Sequence, residues 1–157
     1  VWNGKDAYWR RFLAGKPMPL QEHPESILWN YLATPRNVVP RWYLEGSAVF
    51  FETWMAGGLG RAQGAYDEMV FRAKVRDNDR FYSPLGLESE GTAIDFQVGV
   101  NDYLYGTRFA SYLAMTYGPQ NVLAWLKRPA GSDRYYQSDI ARVFGKPLDA
   151  AWSDWIK

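Results

Sequence analysis

Apolar and polar positions recur along this chain with the period of a helix, and proline and glycine mark where each run stops. "GKDAYWRRFLAG" (4–15) sets Ala7, Tyr8, Arg11 and Phe12 at helical spacing, and Gly15 offers a stop. A proline-rich connector, "KPMPLQEHP", leads into a short helix in "PESILWNYLAT", with Pro24 in its first turn. "PRNVVP" reads as a turn or extended link to the strongest helix, Arg41 to Met55, which "AGGLG" ends. Beyond it, "RAQGAYDEMVFRAKVRDN" gathers Ala65, Met69, Val70 and Ala73 on one face with charges opposite.

Residues 78 to 100 mix turn formers with short apolar pieces and read as loop. Asn101 is placed to cap the next helix, which runs to Tyr117 and stops at Gly118-Pro119. Its Tyr105, Phe109, Tyr112, Leu113 and Thr116 share a face. Helices near 120–127, 134–144 and 148–156 complete the pattern, with Gly145 to Pro147 separating the last two. The expectation is a mainly α fold in one domain, 1–157, with no repeat and no internal linker.

Composition changes the picture in a few ways. Net charge is +1 and the basic residues are scattered, so neither nucleic acid nor an anionic membrane surface is an expected partner. No stretch approaches the ~20 apolar residues that cross a bilayer. Without cysteine, disulfides, thiolate metal sites and a cysteine nucleophile are excluded, while the compartment stays open. Aromatic residues make up 17%, which suits a stiff core or a ring-lined groove for peptide or sugar. The chain starts at Val1 and ends directly after "AAWSDWI", and it reads as a piece of a longer protein.

Most chemical motifs are missing. Neither HExxH nor GxSxG occurs, and the one histidine, His23, lies in the proline-rich connector and reads as an ordinary surface residue. "AGGLGRAQG" lacks the Lys-Ser/Thr ending of a phosphate loop and reads as a helix-to-helix turn. What remains is "PRWYLEGSAVFFETW" (40–54), where Glu45 and Glu52 stand seven residues apart on one helical face within an aromatic run. Unpaired buried carboxylates are costly, so each needs a partner. Arginines such as Arg41, Arg61, Arg72 or Arg108 would serve. A glycosidase-like acid/base pair is disfavoured, because two helical turns separate the Cα atoms by ~10.5 Å. The third option is metal, with one Glu a zinc ligand and the other supporting a ligand histidine.

These residues resemble a known family. "PRWYLEGSAVFFE" is similar to the glutamate-bearing helix of gluzincin (peptidase-MA-like) metallopeptidases, of the form Trp-x-x-Glu-Gly-x-Ala with a later acid. "NDYLYGTRFASYLAMTYG" (101–118) is similar to a later helix of aminopeptidase-like members, of the form Tyr-x-x-Gly-x-x-Phe-x-x-Tyr-Leu. The closer likeness, over roughly residues 1 to 156, is to a bacterial subfamily often fused to propeller-type repeats.

The resemblance implies the C-terminal helical part of a thermolysin- or aminopeptidase-like domain, a zinc cofactor, and hydrolysis of a peptide or protein substrate. It implies Glu45 as metal ligand, Glu52 as its support, and Tyr103 or else Tyr105 as oxyanion donor. Gly46 would let the HExxH helix approach closely. An extracytoplasmic, periplasmic setting goes with the subfamily. The HExxH segment is expected upstream of Val1, so the chain alone should be inactive. The alternative is a non-catalytic module, a decayed peptidase fold whose aromatic groove holds peptide or glycan.

Overall fold

The computed structural model describes residues 39–88, 100–127 and 136–157. Among them are seven α-helices, a single 3-10 turn and no strand. They are α1 (Arg41–Met55), the 3-10 turn Arg61–Gln63, α2 (Ala65–Arg76), α3 (Pro84–Glu88), α4 (Val100–Tyr117), α5 (Pro119–Lys127), α6 (Tyr136–Phe144) and α7 (Leu148–Ile156). The mainly α expectation holds. The helices foreseen at 4–15 and 24–34, the Pro35–Pro40 link up to residue 38, and His23 lie outside the described residues. No described helix is long and apolar enough to cross a membrane.

The chain groups into two compact units, with the boundary inside α5: Pro40–Val122 with Leu148–Lys157, and Val1–Val39 with Leu123–Pro147. In the second of these, the described core comprises Trp125, Leu126, Ile140 and Phe144, and Trp125 meets Phe144 edge to face at 5.8 Å between ring centroids. Asp139, in the first turn of α6, is buried and pairs with Arg142 at 3.1 Å. The other unit holds α1 to α4 and α7.

Its centre is a cluster of rings. Trp42 of α1, Phe109 of α4 and Trp152 of α7 converge, with Phe109 and Trp152 centroids 4.6 Å apart and Trp42 and Trp152 5.1 Å apart. Trp155 and Tyr105 extend the cluster toward Phe71 of α2, whose ring lies 5.1 Å from that of Tyr105. Rings of this size contribute large apolar areas and edge-to-face attraction together, which explains how short helices such as α7 are held. Trp152 also donates its indole N–H to the Tyr82 carbonyl at 3.0 Å, fixing the connection after α2.

α1 matches its expected span. Pro40 sets an extended entry, and the Tyr43 and Leu44 amides donate to its carbonyl. The exit is made by Gly57 and Gly58, both in the left-handed region (φ 71° and 86°) that other residues rarely adopt. Three details differ from the sequence reading. The 78–100 loop contains the short helix α3. Asn101 lies inside α4 and is buried. On α2, Ala65 and Met69 are exposed, while Val70 and Ala73 are half-buried as expected, alongside the half-buried Phe71 and Lys74 and the buried Asp67. The large Phe71 ring docks on the cluster and sets the rotation of the helix.

Candidate functional site

Glu45 and Glu52 both lie on the solvent side of α1. The opposite side, with Trp42, Gly46, Val49, Phe50 and Thr53, is buried. The Glu45 side chain is 32% exposed and that of Glu52 57%, so the question of two buried carboxylates dissolves. Each has an arginine partner. Arg41 approaches Glu45 at 3.8 Å, one turn along the same helix, and Arg61 of the 3-10 turn approaches Glu52 at 3.5 Å.

α1 and α4 cross with their backbones in contact at Gly46 and Gly106. A Cβ on Gly106 would run into the Trp42 carbonyl oxygen and come within 2.9 Å of the Gly46 Cα. A Cβ on Gly46 would strike the Gly106 backbone and come within 2.7 Å of the Thr107 amide. Thr107, wholly buried, donates its hydroxyl to the Gly46 carbonyl at 3.4 Å. The resemblance led us to expect an HExxH helix against Gly46; in this structure α4 fills that side. The result is that Glu45, next to one glycine, and Tyr103, three residues before the other, are fixed by the same crossing.

Tyr103 then acquires two cationic neighbours. Arg41 is one, and the Tyr103 side chain is the first cause holding the Arg41 guanidinium above its ordinary value. Burial opposes it as the second-largest effect, and the charges of Asp102 and Glu45 add smaller contributions that raise it. From the other side, the Arg61 guanidinium lies over the Tyr103 ring, 5.3 Å from its centroid, a cation–π arrangement. Asp102, in the first turn of α4 where the helix dipole favours an acid, is buried and faces Arg41 at 3.6 Å. Tyr105, the other tyrosine considered, is differently placed. Its residue is 0% exposed, and its hydroxyl accepts the Tyr82 amide at 3.3 Å within the ring cluster.

The 3-10 turn that carries Arg61 is anchored by Thr53. Its buried hydroxyl donates to the Val49 carbonyl at 2.9 Å and accepts the Ala62 amide at 3.0 Å. Gly60 packs so closely on Thr53 that a Cβ there would come within 2.6 Å of the Thr53 Cα. A second line of charge follows on α2. Glu68 binds Arg72 at 2.7 Å and Arg108 at 3.3 Å, and its carboxyl is held below the usual range, first by the Arg72 hydrogen bond. Asp67 is buried, and burial pushes its carboxyl up, with Arg108 and Arg61 pulling it partly back.

Among the described residues no group of three or more His, Cys, Asp or Glu is placed to hold a metal ion. Glu45, a carboxylate 32% exposed with Arg41 at 3.8 Å, has an oxygen it could offer to a metal ion. No other described residue completes a coordination shell around it. The arginine partners were legible in the sequence as candidates. Their convergence on one tyrosine, and the buried Asp102, were not, because both depend on the helix crossing. Compared with protein-family models, with curated proteins and with solved structures, the chain matches none.

Proposed function

We propose that this chain is the glutamate-bearing helical part of a zinc-dependent peptidase domain of the gluzincin type. One observation carries the reading: the two stretches with the resemblance, 41–55 and 101–118, are the pair of helices that cross at Gly46 and Gly106. That contact brings Glu45 and Tyr103 within reach of one arginine, Arg41. In this reading Glu45 offers a carboxylate oxygen to zinc. The two histidines and the general base belong to an HExxH segment, a sequence these 157 residues do not contain. Zinc, when bound, supplies polarisation of the scissile carbonyl and of the attacking water.

The chain's own residues have separate tasks. Tyr103 donates its hydroxyl proton to the carbonyl oxygen as charge develops there. Arg41 restrains Glu45 from one turn before it, and Glu52 supports from two turns beyond through Arg61. Trp42, Tyr43 and Phe50 hold α1 against the core so that Glu45 keeps its direction. Tyr105 serves the core and not the chemistry.

The test measures zinc content and peptide turnover on this chain alone and on the parent protein with its HExxH segment. We expect stoichiometric zinc and chelator-sensitive hydrolysis in the parent, and neither in the chain alone. Glu45→Gln in the parent should lower turnover by roughly a hundredfold or more through lost metal. Stoichiometric zinc in the chain alone, or turnover indifferent to chelators, overturns the proposal. A second reading, a non-catalytic module for peptide or glycan, is favoured by the half-exposed rings of Trp54 and Tyr66. Ligand binding by a parent that holds no zinc would select it.

A further inference from the structure

We infer that Arg61, held against the Tyr103 ring, is an anchoring site for a carboxylate of a peptide ligand. Its use by a peptidase rests on the reading above, but the binding itself does not.

The backbone that carries Arg61 is fixed before its side chain is considered. The hydroxyl of the wholly buried Thr53 accepts the Ala62 amide at 3.0 Å and donates to the Val49 carbonyl at 2.9 Å. The Gln63 amide closes on the Gly60 carbonyl at 3.1 Å, and the Gly64 amide on that of Arg61 at 2.9 Å. A Cβ on Gly60 would enter the Thr53 side chain, so the turn lies directly on α1. From this base the Arg61 guanidinium rests over the Tyr103 ring, 5.3 Å from its centroid. A flat cation laid on a ring keeps its N–H groups around the edge, where they can bind an anion.

Those N–H groups are largely unspent. A guanidinium has five donors. Among the described residues the Arg61 ion pair is with Glu52, at 3.5 Å, beyond the length of a closed charge-assisted bond. Arginines of α2 behave differently: Arg72 closes on Glu68 at 2.7 Å, and Arg76 on Asp77 at 2.6 and 2.8 Å. The Arg61 side chain is also 61% exposed, so a ligand can reach it.

The arrangement selects its ligand. A planar carboxylate matches the guanidinium fork with two parallel bonds. Glu52 stands close by, and it repels a doubly charged phosphate twice as strongly as a carboxylate. The Tyr103 ring offers apolar surface to the peptide that carries the charge. Glu52 lies two turns, ~10.5 Å, along α1 from Glu45, a span of about three residues of extended peptide. In the peptidase reading the substrate class is therefore a peptide whose carboxylate lies about three residues from the cleaved bond.

The experiment has a binding and a kinetic arm. In the first, this chain is titrated with N-acetyl-trialanine, its C-terminal amide, N-acetyl-Ala-Glu-Ala amide and inorganic phosphate at constant ionic strength. The readout is the ring chemical shifts of Tyr103, assigned through Tyr103→Phe. The free acid should bind roughly tenfold more tightly than its amide, and Arg61→Gln should remove the difference. Arg61→Lys, which keeps the charge without the fork, should restore only part of it, and Arg76→Gln should behave as wild type. Thermal melting shows that each variant keeps the fold. If the glutamate-containing amide matches the free acid, the site takes acidic side chains as well as chain ends; if it does not, chain ends alone. Acid and amide that bind alike or not at all, a preference that survives Arg61→Gln, or phosphate binding more tightly than the free acid overturns the inference.

In the second arm, the zinc-loaded parent cleaves a peptide that ends in a free carboxylate about three residues beyond the cleaved bond, and the amide of the same peptide. kcat/KM should favour the acid roughly tenfold, through KM, and the ratio should fall toward one in Arg61→Gln. A ratio of one in the wild type overturns the use of the site in catalysis. If the parent proves to have no zinc or turnover, the peptidase reading fails, and the titration decides the carboxylate site alone.

Discussion

The α1–α4 crossing and helix α2 both border the candidate site, but they are built by different means. At the crossing, two backbones meet with no side chain between them, and buried rings from α1, α4 and α7 press against it. On α2 the inward side holds one ring, a buried acid, the stem of a lysine and the half-buried Val70 and Ala73, and the outward side carries the Glu68–Arg72 pair. Close packing leaves the first region no room to adjust. The second adjusts easily, because exposed ion pairs are individually weak. The residues proposed for chemistry, Glu45 and Tyr103, hang from the rigid region. Those of the softer one, Asp67 and Glu68, reach the site only through the fields of Arg61 and Arg108.

The contrast can be broken most severely at its centre. Trp152→Ala removes the ring that touches Trp42, Phe109 and Tyr105, and we expect a loss of about 3–5 kcal/mol in urea unfolding. Gly106→Ala, a change of one methyl, should cost about 2–3 kcal/mol, because its Cβ meets the Trp42 carbonyl, which has nowhere to go. A loss below about 0.5 kcal/mol would show that the helices part freely and that the crossing is not rigid. Thr53→Val leaves the Ala62 amide without its partner and should cost about 1–2 kcal/mol. The Arg61–Tyr103 contact should loosen with it, read by the ring chemical shifts of Tyr103.

Changes on α2 should be small and one should be pH-dependent. Asp67 has its folded carboxyl pushed up, so the folded state favours the protonated form. Its contribution is full at acid pH, below the ordinary carboxylate range, and is lost as pH rises through the raised folded value. Asp67→Asn should therefore gain on wild type between about pH 3 and pH 7, by less than about 1 kcal/mol. A difference that is flat with pH would count against the burial effect. Met69→Gln, on the outward face, should stay within about 0.5 kcal/mol of wild type by melting.

How much of this was legible in the sequence follows the same division. α1, α4, α5, α6 and α7 could be placed because Pro40, Gly57, Gly118 and Gly145 punctuate long periodic runs. The pairing of Arg41 with Glu45 follows from their spacing of one helical turn. The inward face of α2 was read in part, Val70 and Ala73 but not Phe71, because Phe71 binds rings that arrive from α4, the Phe81 connection and α7, far along the chain. α3 was hidden within a stretch whose turn formers outweigh five helical residues. The role of Gly46 was read correctly as close approach but assigned to the wrong neighbour, since periodicity shows that a face is bare without showing what fills it. Tyr103 and Tyr105 are two residues apart and therefore on different sides of α4. That Tyr105 lies in the core and Tyr103 is half-buried beside the crossing depends on the packing of α4 and could not be read from spacing alone.

The meeting of Gly46 and Gly106 also limits how this sequence can drift. Each glycine blocks a larger residue at the other, since a single methyl on either strikes the opposite backbone, and no exchange between the two positions relieves it. A stepwise path away from the pair must pass through a strained intermediate, whereas Ala48 and Met55, on the exposed side of the same helix, can change one at a time. New specificities can thus accumulate along the outer stripe of α1 while the angle at which that stripe is presented is inherited unchanged.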